Sequence, residues 1–505
     1  MEPGLLLAID VGTSSAKACL CDIRGQVRGR GHEPYPLLRP GPRRIEQDPE
    51  VWWRAVVRAV RASLGSAAPP PIEGISVSSS NALVLLDHAG KAVRPAIMQL
   101  DDRAELEVAA LRRSLGGPIA RATGNRVADF GYWLPVLKWL GKNEPESLAR
   151  ARWLVYPSGY LLLRLTGMPS IDRTRAATTL LFDRRAGAWS EALVRESGVD
   201  LAKLPAVVES TTVVGRLDRS AAAALGLPSG IPIVGGAMDS VAAALGLGML
   251  ERDDAALMLG TVARAAVLTS APRLGADIIG CPYPGADLWL SMGVLWGGGQ
   301  WLQWIVDTFH GGRWDEVCSV DEPEALTGLM AVPPATAGDG AFVGINAGHS
   351  LADLGNAGSV GLLAELADVL NAMTPASGLA RRRLASCGRG ARLTAPLLAS
   401  LLRQTVEIPD DPETETRGGA VLAACGVGLF PDLASAARGM AASCQVFRPT
   451  ADWADYAAAL RRRRALCRRS IRSHHSPSGE ATSRAAGLTR PGPVAQSDRS
   501  RQGMF

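Results

Sequence analysis

Two Gly-Thr pairs have the composition of phosphate-binding turns. Gly12-Thr13 and Gly260-Thr261 each lie between two short apolar runs. Glycine lets the main chain approach a ligand closely, neighbouring N–H groups of such a turn can converge on an anion, and the threonine hydroxyl adds a donor. Two such turns facing each other could therefore hold a polyphosphate between them.

The residues that precede the two turns differ in charge. Asp10 precedes the first turn, whereas Met258 has the corresponding place before the second. One carboxylate can hold Mg²⁺ through water, and a neutral opposite wall avoids a second negative charge beside the phosphates. Asp10 is therefore the predicted metal ligand. The alternative is that its carboxylate accepts hydrogen bonds from the N–H groups of its own turn.

A further carboxylate, Asp239, follows the apolar segment IPIV and the pair Gly235-Gly236. It stands at the start of SVAAALGL, which is predicted to be a helix. A carboxylate at this place would face a cleft at the end of the strand. The alternative is a helix N-cap, because Asp at that position satisfies the first helical N–H groups.

The elements that position these residues repeat along the chain. Residues 8–20 (AIDVGTSSAKACL) and 256–268 (ALMLGTVARAAVL) align without gaps, and each is predicted to form a hairpin of two strands around its Gly-Thr turn. Chance similarity between two apolar hairpins is one explanation. A duplication is the other, and it predicts two α/β halves that present their Gly-Thr turns to a shared cleft.

Between the hairpins the pattern alternates strands and helices. Asp48 can cap and Pro49 can begin a helix, and GISVSSS reads as a strand that runs into polar residues. Helical patterns dominate 103–115, 133–140 and 145–152.

The uncharged stretch 288–306, after the second hairpin, contains three consecutive glycines. It is predicted to be a buried strand, a glycine turn and a helix rather than a membrane span.

Composition limits the possible classes of protein. The chain has 505 residues, of which 47% are hydrophobic and 20% charged, so a disordered chain, a coiled coil and a collagenous fibre are excluded. Its net charge is +5, but residues 461–505 carry +9, since they hold eleven Arg against Glu480 and Asp498. The remaining body is therefore mildly acidic, which argues against a nucleic acid or a membrane as its partner.

Cysteine usage and the N-terminus predict a cytoplasmic protein. The eight cysteines include no CxxC pair and no Cys/His spacing suited to zinc, which favours reduced thiols. The first twelve residues offer no basic region of a secretory signal.

The order and spacing of several segments resemble the FGGY family of carbohydrate kinases, xylulokinases in particular. The segments are AIDVGTSSAK (8–17), IEQDPEVWW (45–53), AIMQLDDR (96–103), YLLLRLTG (160–167), LLFD (180–183), GGAMDSVAAALGLG (235–248), LGT (259–261), GGGQWLQW (297–304) and CGRGAR (387–392). The resemblance implies two actin-like (ribonuclease H-like) α/β domains of the hexokinase/actin superfamily with an interdomain cleft. It also implies ATP-dependent phosphorylation of a small ketose, polyol or sugar acid.

The resemblance assigns roles to the residues above. Asp239 would be the general base that accepts the proton of the attacking hydroxyl, and Asp10 would orient the Mg²⁺ of Mg-ATP. Lys17 also fits the family pattern, with a solvated strand-edge lysine as the alternative. The nucleotide would contact residues in both turns and in two glycine-rich segments: Gly12, Thr13, Gly260, Thr261, Gly299, Gln303, Gly388, Gly390 and Ala391. Arg389 departs from the family, which usually has a further glycine there.

The sugar-binding segments depart most from the family. Xylulokinases usually carry Met-His-Gly after the strand that corresponds to GISVS, whereas this chain reads SSNALVLLD, and Gln99 replaces a usual Trp. Hydroxyl, amide and charged groups would then recognise the substrate, with an ordinary polar loop as the alternative. The predicted substrate contacts are Ser79, Ser80, Asn81, Asp101, Arg103 and Asp239.

The resemblance also divides the chain. Residues 1–230 would form the N-terminal kinase domain, residues 231–465 the C-terminal kinase domain, and residues 466–505 a disordered basic tail. A small-molecule substrate is the expected partner, and a homodimer is left open. The altered sugar loop, residues 78–83, and Arg389 keep a second function open, a catalytically weak relative that acts as a sugar- or nucleotide-binding regulator. An actin-like polymer or chaperone ATPase would share the fold.

Overall fold

The structure is a computed structural model of the chain. It describes residues 4–65, 71–127, 132–260, 262–275, 277–317, 326, 328–334, 340–374, 383–388 and 390–475. Two large sheets dominate these residues, one in each half of the chain.

The first sheet has six strands around the predicted first hairpin. Leu5–Val11 pairs antiparallel with Ser15–Asp22 and parallel with Ile72–Ser79. In spatial order the strands are Val213–Arg216, Pro232–Val234, Ile72–Ser79, Leu5–Val11, Ser15–Asp22 and Val27–Pro34. The apolar run of Leu5–Val11 is buried throughout, as expected for a central strand covered on both faces.

The second sheet has seven strands around the predicted second hairpin. Asp254–Leu259 pairs antiparallel with Ala263–Thr269 and parallel with Arg383–Gly388. In spatial order the strands are Ile278–Pro282, Trp289–Leu295, Ala263–Thr269, Asp254–Leu259, Arg383–Gly388, Val406–Pro409 and Cys444–Phe447.

The two sheets share one topology. In each sheet the central strand has its hairpin partner on one side and, on the other, two strands parallel to it followed by an antiparallel edge strand. Such a match between sheets far apart in sequence confirms the predicted duplication rather than chance similarity of two hairpins. It also confirms the predicted α/β class with two actin-like domains.

The remaining elements cover these sheets or form smaller ones. The other strands are Leu38–Gly41, Arg44–Gln47, Ala82–Leu86, Ala96–Met98, Trp153–Val155, Ser170–Asp172, Phe182–Asp183, Ala188–Trp189, Ala206–Val208, Met330–Val332 and Ala341–Val343. The helices are Pro49–Leu64, Glu105–Thr123, Trp133–Asn143, Pro145–Arg150, Pro157–Thr166, Arg173–Ala176, Glu191–Ser197, Arg219–Leu225, Asp239–Gly246, Gly298–Phe309, Leu351–Met373, Ala391–Leu402, Thr414–Gly426, Leu433–Gly439 and Ala454–His475. None of the helices among the described residues is both long enough and apolar enough to cross a bilayer.

Local sequence signals were reliable where capping or glycine determines the backbone. The helix Pro49–Leu64 begins as predicted, with the Asp48 side chain accepting from the Glu50 N–H at 3.0 Å. The stretch 288–306 is the strand Trp289–Leu295, a turn and the first part of the helix Gly298–Phe309.

The structure bears on two predicted boundaries, the one between the two domains at residues 230–231 and the start of the tail at residue 466. The strand Pro232–Val234 pairs with Ile72–Ser79 of the first sheet, so a boundary between residues 230 and 231 would separate it from its sheet. The division into domains at that point stays a prediction. The last helix, Ala454–His475, runs through residues 466–475, so the predicted disordered tail starts too early. Residues 476–505 lie outside the described residues.

One helix of each half meets the other at the junction of the two sheets. Asp239–Gly246 packs against Thr414–Gly426, which also lies on the strands Leu5–Val11 and Ile72–Ser79. A Cβ atom at Gly418 would lie 1.7 Å from the Ala242 carbonyl oxygen. The helices therefore touch through their backbones, which explains the small-residue sequence RGGAVLAACG in physical terms.

We predict that Gly418→Ala lowers the free energy of unfolding by about 1–3 kcal/mol, because the added methyl group overlaps a backbone oxygen that cannot rotate away. Chemical denaturation of the two proteins measures this difference. Gly116→Ala is the matched control, since a Cβ at that helical position has open space around it. The control should gain about 0.5–1 kcal/mol from helix propensity. Equal behaviour of the two variants would contradict backbone contact at the crossing.

Candidate active site

A cleft of about 810 Å³ opens between the two halves of the molecule. Lys17 lines it from the first half, and most of its wall comes from the second half. Four of the predicted nucleotide contacts are in that wall: Gly260, Gly299, Gln303 and Gly388. Thr261 and Arg389 lie outside the described residues.

The glycines of the wall are required by close backbone approach. Gly388 has a φ of +101°, and a Cβ atom there would lie 2.3 Å from the Leu259 carbonyl oxygen. A Cβ at Gly298 would lie 2.6 Å from the Ala263 side chain. Side chains at these positions would therefore displace the main chain of the cleft, so the glycines keep this surface smooth.

Two further predicted nucleotide contacts stand slightly behind the wall. Gly390, with a φ of +80°, precedes the helix Ala391–Leu402, and Ala391 is buried. A Cβ at Gly390 would lie 2.8 Å from the ring of Trp314, which does line the cleft. Gly390 therefore makes room for that ring, and direct contact of Gly390 and Ala391 with a nucleotide stays a prediction.

Two tryptophans in the cleft were not identified from the sequence. Trp304 is 45% exposed, and its ring lies 5.0 Å from that of Trp301. Trp304 and Trp314 both line the cleft and offer flat apolar surfaces of the kind on which a nucleobase packs. The only sequence signal was the spacing of Trp301 and Trp304, which does not tell which ring faces solvent.

Asp10 lies near the end of the first central strand, directly across from Lys17, which lines the cleft. It is buried, and its Oδ1 accepts a hydrogen bond of 2.7 Å from the Ser78 hydroxyl. Burial raises the pKa of Asp10 to about 7, with the nearby Glu415 and Asp239 carboxylates adding to the shift and Lys17 opposing it. These four charged groups therefore act on one another within one small region.

The alternative role for Asp10, acceptor for its own turn, is not what the structure shows. The Gly12 N–H donates instead to the Ser15 carbonyl at 2.9 Å, and Tyr35 donates its hydroxyl to the Gly12 carbonyl at 2.7 Å. Gln99 donates to the Thr13 hydroxyl at 3.0 Å. The turn is thus held by other groups, and among the described residues Ser78 is the hydrogen-bond donor to Asp10.

Lys17 is a partner of acidic groups rather than a solvated strand-edge residue. Its ammonium nitrogen lies 3.8 Å from Glu415 Oε2, and both side chains are about a quarter to a third exposed. Burial lowers the pKa of Lys17, but the Glu415 and Asp10 carboxylates outweigh burial and leave its pKa above the ordinary value. Lys17 therefore stays charged beside the carboxylates.

Asp239 is the first residue of the helix Asp239–Gly246, and Met238 occupies the N-cap position without a side-chain cap. One carboxylate oxygen, Oδ1, accepts from the Ser240 N–H at 2.7 Å and from the Ser240 hydroxyl at 3.1 Å. The other oxygen has no hydrogen-bond partner among the described residues. Asp239 is thus oriented through one oxygen while the second remains available to a ligand.

Glu413 and Glu415 also line the cleft and were not predicted from the sequence. They flank the start of the helix Thr414–Gly426, which follows the strand Val406–Pro409. The shared topology makes this strand and helix the counterparts of Pro232–Val234 and Asp239–Gly246. The duplication itself was therefore a signal that acidic residues should be sought after both strands.

The predicted sugar loop divides into structural and available groups. The Ser79 hydroxyl donates to the Ser80 carbonyl at 3.1 Å and accepts from the Ser158 N–H at 3.0 Å, so it is committed to the fold. The Ser80 hydroxyl is buried without a hydrogen-bond partner in the described residues. Asn81 is half-buried, with its Nδ2 3.9 Å from Met238 Sδ. Ser80 and Asn81 thus retain capacity for a substrate.

Asp101 and Arg103 belong to a buried ion-pair network. Arg103 donates to both Asp101 oxygens at 2.7 Å and to Glu46 at 2.6 Å, and the Ile45 N–H donates to Asp101 at 2.7 Å. This network ties the segment after the strand Ala96–Met98 to the strand Arg44–Gln47. Direct contact of the two residues with a substrate stays a prediction.

The carboxylates around Asp10 have the chemistry that suits a divalent cation. Among the described residues, no cluster of three His, Cys, Asp or Glu side chains could hold a metal ion by itself. The buried Asp10 carboxylate, crowded by two others, would nevertheless be stabilised by a cation bound through water. The residues around Asp10 therefore fit a Mg²⁺ ion bound through water.

Known carbohydrate kinases are similar to this chain in sequence and in fold. Residues 5–246 match the N-terminal domain of the FGGY family of carbohydrate kinases. The xylulose kinase of Lactococcus lactis is 30% identical over 464 residues, which are 85% of this chain and 89% of that relative. The glycerol kinase of Alkalilimnicola ehrlichii is 30% identical over 461 residues, 84% of this chain and 90% of that relative.

A solved structure shows the same fold. The crystal structure of xylulose kinase from Rhodospirillum rubrum has a TM-score of 0.82 at 23% identity, and the match covers 93% of this chain and 99% of that one. Matches of this length in sequence and fold include both halves and the cleft between them. The chain therefore belongs to the FGGY family of carbohydrate kinases.

Proposed function

We propose that this sugar kinase transfers the γ-phosphoryl group of Mg-ATP to a hydroxyl group of a small ketose, polyol or sugar acid. The observation that carries the proposal is that Asp10 interacts electrostatically with Lys17, Asp239 and Glu415. Lys17 is its cross-strand partner, and Lys17 and Glu415 both line the glycine-walled cleft. Such a group can hold a metal-bound polyphosphate on one side and a hydroxyl nucleophile on the other.

The outer part of the cleft would bind the nucleotide. Trp304 and Trp314 supply apolar faces for the base, while the smooth backbone at Gly299 and Gly388 admits the sugar and phosphates. Gly260 is exposed at the second turn, where main-chain N–H groups can meet the phosphate oxygens. ATP binding by this chain is consistent with the family and with the volume of the cleft.

Asp10 would hold the Mg²⁺ that accompanies ATP, and the cation would neutralise charge on the transferring phosphoryl group. The Ser78 hydroxyl fixes the orientation of the Asp10 carboxylate. Lys17 balances part of the negative charge and, by pairing with Glu415, links the first hairpin to the opposite half. Asp10 would thus attract the cation of Mg-ATP, and Lys17 would attract its phosphates.

Asp239 would accept the proton of the attacking hydroxyl. Ser240 holds one of its carboxylate oxygens, and the other is free to receive a hydrogen bond from a substrate. A carboxylate held in this way is a suitable general base, because its orientation is fixed before the substrate binds.

The substrate would lie between Asp239 and the loop Ser80-Asn81. Relatives at equal identity are named for a ketose and for a polyol, xylulose and glycerol, so both classes are candidates. A hydroxyl and an amide in this loop suit a neutral polyhydroxy compound. The test is a coupled assay of ADP release over pentuloses, hexuloses, polyols and aldonates. If the chain binds ATP but none of these compounds stimulates ADP release, the second function, a catalytically weak sugar- or nucleotide-binding regulator, is favoured instead.

We predict that Asp239→Asn reduces phosphoryl transfer by roughly 100- to 10,000-fold, because the amide cannot accept the proton of the substrate hydroxyl. Nucleotide affinity, measured by calorimetry, should stay within a few-fold of wild type. Asp253→Asn is a control away from the cleft, at a residue whose positive φ asparagine also tolerates. Turnover by Asp239→Asn at the wild-type rate would remove Asp239 from the mechanism.

We predict that Asp10→Asn raises the melting temperature in metal-free buffer, by an amount that grows from pH 5 to pH 7 and then levels off. The pKa of Asp10 is raised in the fold, so the unfolded chain loses this proton at lower pH than the folded chain does. Wild-type stability therefore falls as pH rises through this window, whereas asparagine has no proton to lose. The same variant should lose most of its phosphoryl transfer.

Thermal denaturation at several pH values measures the effect, with the exposed Asp287→Asn as control. The control curve should run parallel to wild type. A pH-independent difference between Asp10→Asn and wild type would show that Asp10 ionises normally in the folded protein.

A further inference from the structure

A buried guanidinium that neither the sequence motifs nor the proposed chemistry uses lies directly behind the sugar loop. Arg175, on the short helix Arg173–Ala176, has no exposed surface. Burial of an arginine is expensive unless its charge is paired and its donors are satisfied. Its partners therefore indicate what it is retained for.

The donors of Arg175 reach two separate segments that meet at the site. Its Nη2 donates to the Ser79 carbonyl and, at 2.9 Å, to the Ala237 carbonyl. Ser79 is the residue of the sugar loop at which the strand Ile72–Ser79 ends, and Ala237 comes two residues before the proposed base. One side chain thus joins the sugar loop to the segment that carries Asp239.

The same side chain also contacts Asn81. Its Nη1 lies 3.4 Å from Asn81 Oδ1, which places the other end of the Asn81 amide, Nδ2, on the side of Met238 Sδ. An asparagine amide presents either an oxygen acceptor or a nitrogen donor, and a donor beside the oxygen selects the orientation. Arg175 thereby selects the amide orientation in which Asn81 Nδ2 is the donor on the side of Met238, the residue directly before the proposed base.

The charge of Arg175 is matched by Asp172, whose Oδ2 lies 3.4 Å from its Nε. Asp172 also caps the short helix through the Thr174 and Arg175 N–H groups. The Thr174 hydroxyl in turn accepts from the Met238 N–H at 2.9 Å. The helix Arg173–Ala176 therefore holds both the N–H and the C=O groups of the segment just before Asp239.

We infer that Arg175 is a positioning residue that ties the sugar loop to the base-bearing segment and sets the orientation of the Asn81 amide, so that substrate hydroxyl and base meet in register. The inference rests on the proposed function for its kinetic consequences. The tether itself is a property of the fold and is measured separately.

Arg175→Lys tests the tether. Lysine keeps a positive charge near Asp172. Its compact ammonium group cannot donate at once to the three acceptors that the planar guanidinium reaches, which are Asn81 Oδ1 and the carbonyls of Ser79 and Ala237. The paired change Asp172→Asn with Arg175→Met removes both charges, so a variant without an unpaired buried ion is also available. Arg173→Lys is the matched control, since Arg173 is on the same helix but pairs with the exposed Glu209.

Hydrogen–deuterium exchange is the decisive measurement, because it does not depend on activity. We expect amides in residues 76–81 and 235–240 to exchange about tenfold faster in Arg175→Lys and in the paired variant, as loss of charge-assisted hydrogen bonds allows. Both segments should change together, and neither should change in Arg173→Lys. Unchanged exchange, or faster exchange in one segment alone, would overturn the inference.

Kinetics then separates positioning from general stability. Arg175→Lys should lose roughly 100-fold in kcat with the KM for Mg-ATP unchanged, since a small misplacement of reacting groups has this effect. Asn81→Asp keeps an acceptor for Arg175 but has no donor for the substrate. It should raise the KM for sugar at least about tenfold with exchange unchanged.

A normal KM for sugar in Asn81→Asp would overturn the role assigned to the amide. Loss of kcat in parallel with a raised KM for Mg-ATP in Arg175→Lys would indicate a general structural defect and also overturn the inference. If wild type phosphorylates none of the sugars, the proposed function fails, while the exchange comparison still decides whether Arg175 ties the two segments together.

Discussion

Parallel pairing of three strands in the first sheet is the constraint on which the site depends. Leu5–Val11 and Pro232–Val234 lie on either side of Ile72–Ser79, and all three strands point the same way. The register places Asp10 opposite Ser78, and an isolated bridge joins Ser79 to Met238. Ligands of open α/β sheets bind outside the carboxyl ends of such strands. Pairing of the backbone thus brings Asp10, the segment after Ser79 and the segment that carries Asp239 to one edge of the sheet.

This convergence brings several carboxylates close together, so that they repel one another when no ligand is bound. Asp10, Asp239 and Glu415 share one region with a single lysine, and Asp10 carries a pKa raised to about 7 by burial and by its acidic neighbours. Perturbed carboxylates of this kind concentrate where charge is handled, because the fold must hold them in place. A bound cation would relieve the repulsion among these carboxylates, which is why the proposed role of Asp10 is to hold a metal ion.

Duplication explains how the second half completes the cleft. Its central hairpin and crossover strands repeat those of the first, yet it presents Met258 where the first presents Asp10. Its strand Val406–Pro409 leads to Glu415, as Pro232–Val234 leads to Asp239. The two helices that follow these strands cross with their backbones in contact at Gly418, which sets one half against the other. The same architecture therefore supplies the glycine-rich wall of the cleft from one half and Asp239 from the other.

The two hairpins and their glycine turns were predictable from the residues alone, and the family resemblance added the two-domain fold and the candidate roles of Asp10 and Asp239. These features depend on local patterns, because apolar runs, turns and helix starts are properties of neighbouring residues. Which polar atoms remain available became clear from the packing of the folded chain. Ser79 is committed to Ser158, and Arg103 to Asp101 and Glu46, whereas Trp304 and Glu415 face the cleft. Arg175 acquires its role from acceptors that are distant in the chain. Burial and hydrogen bonding between distant segments decide these assignments, so no local pattern could have shown them.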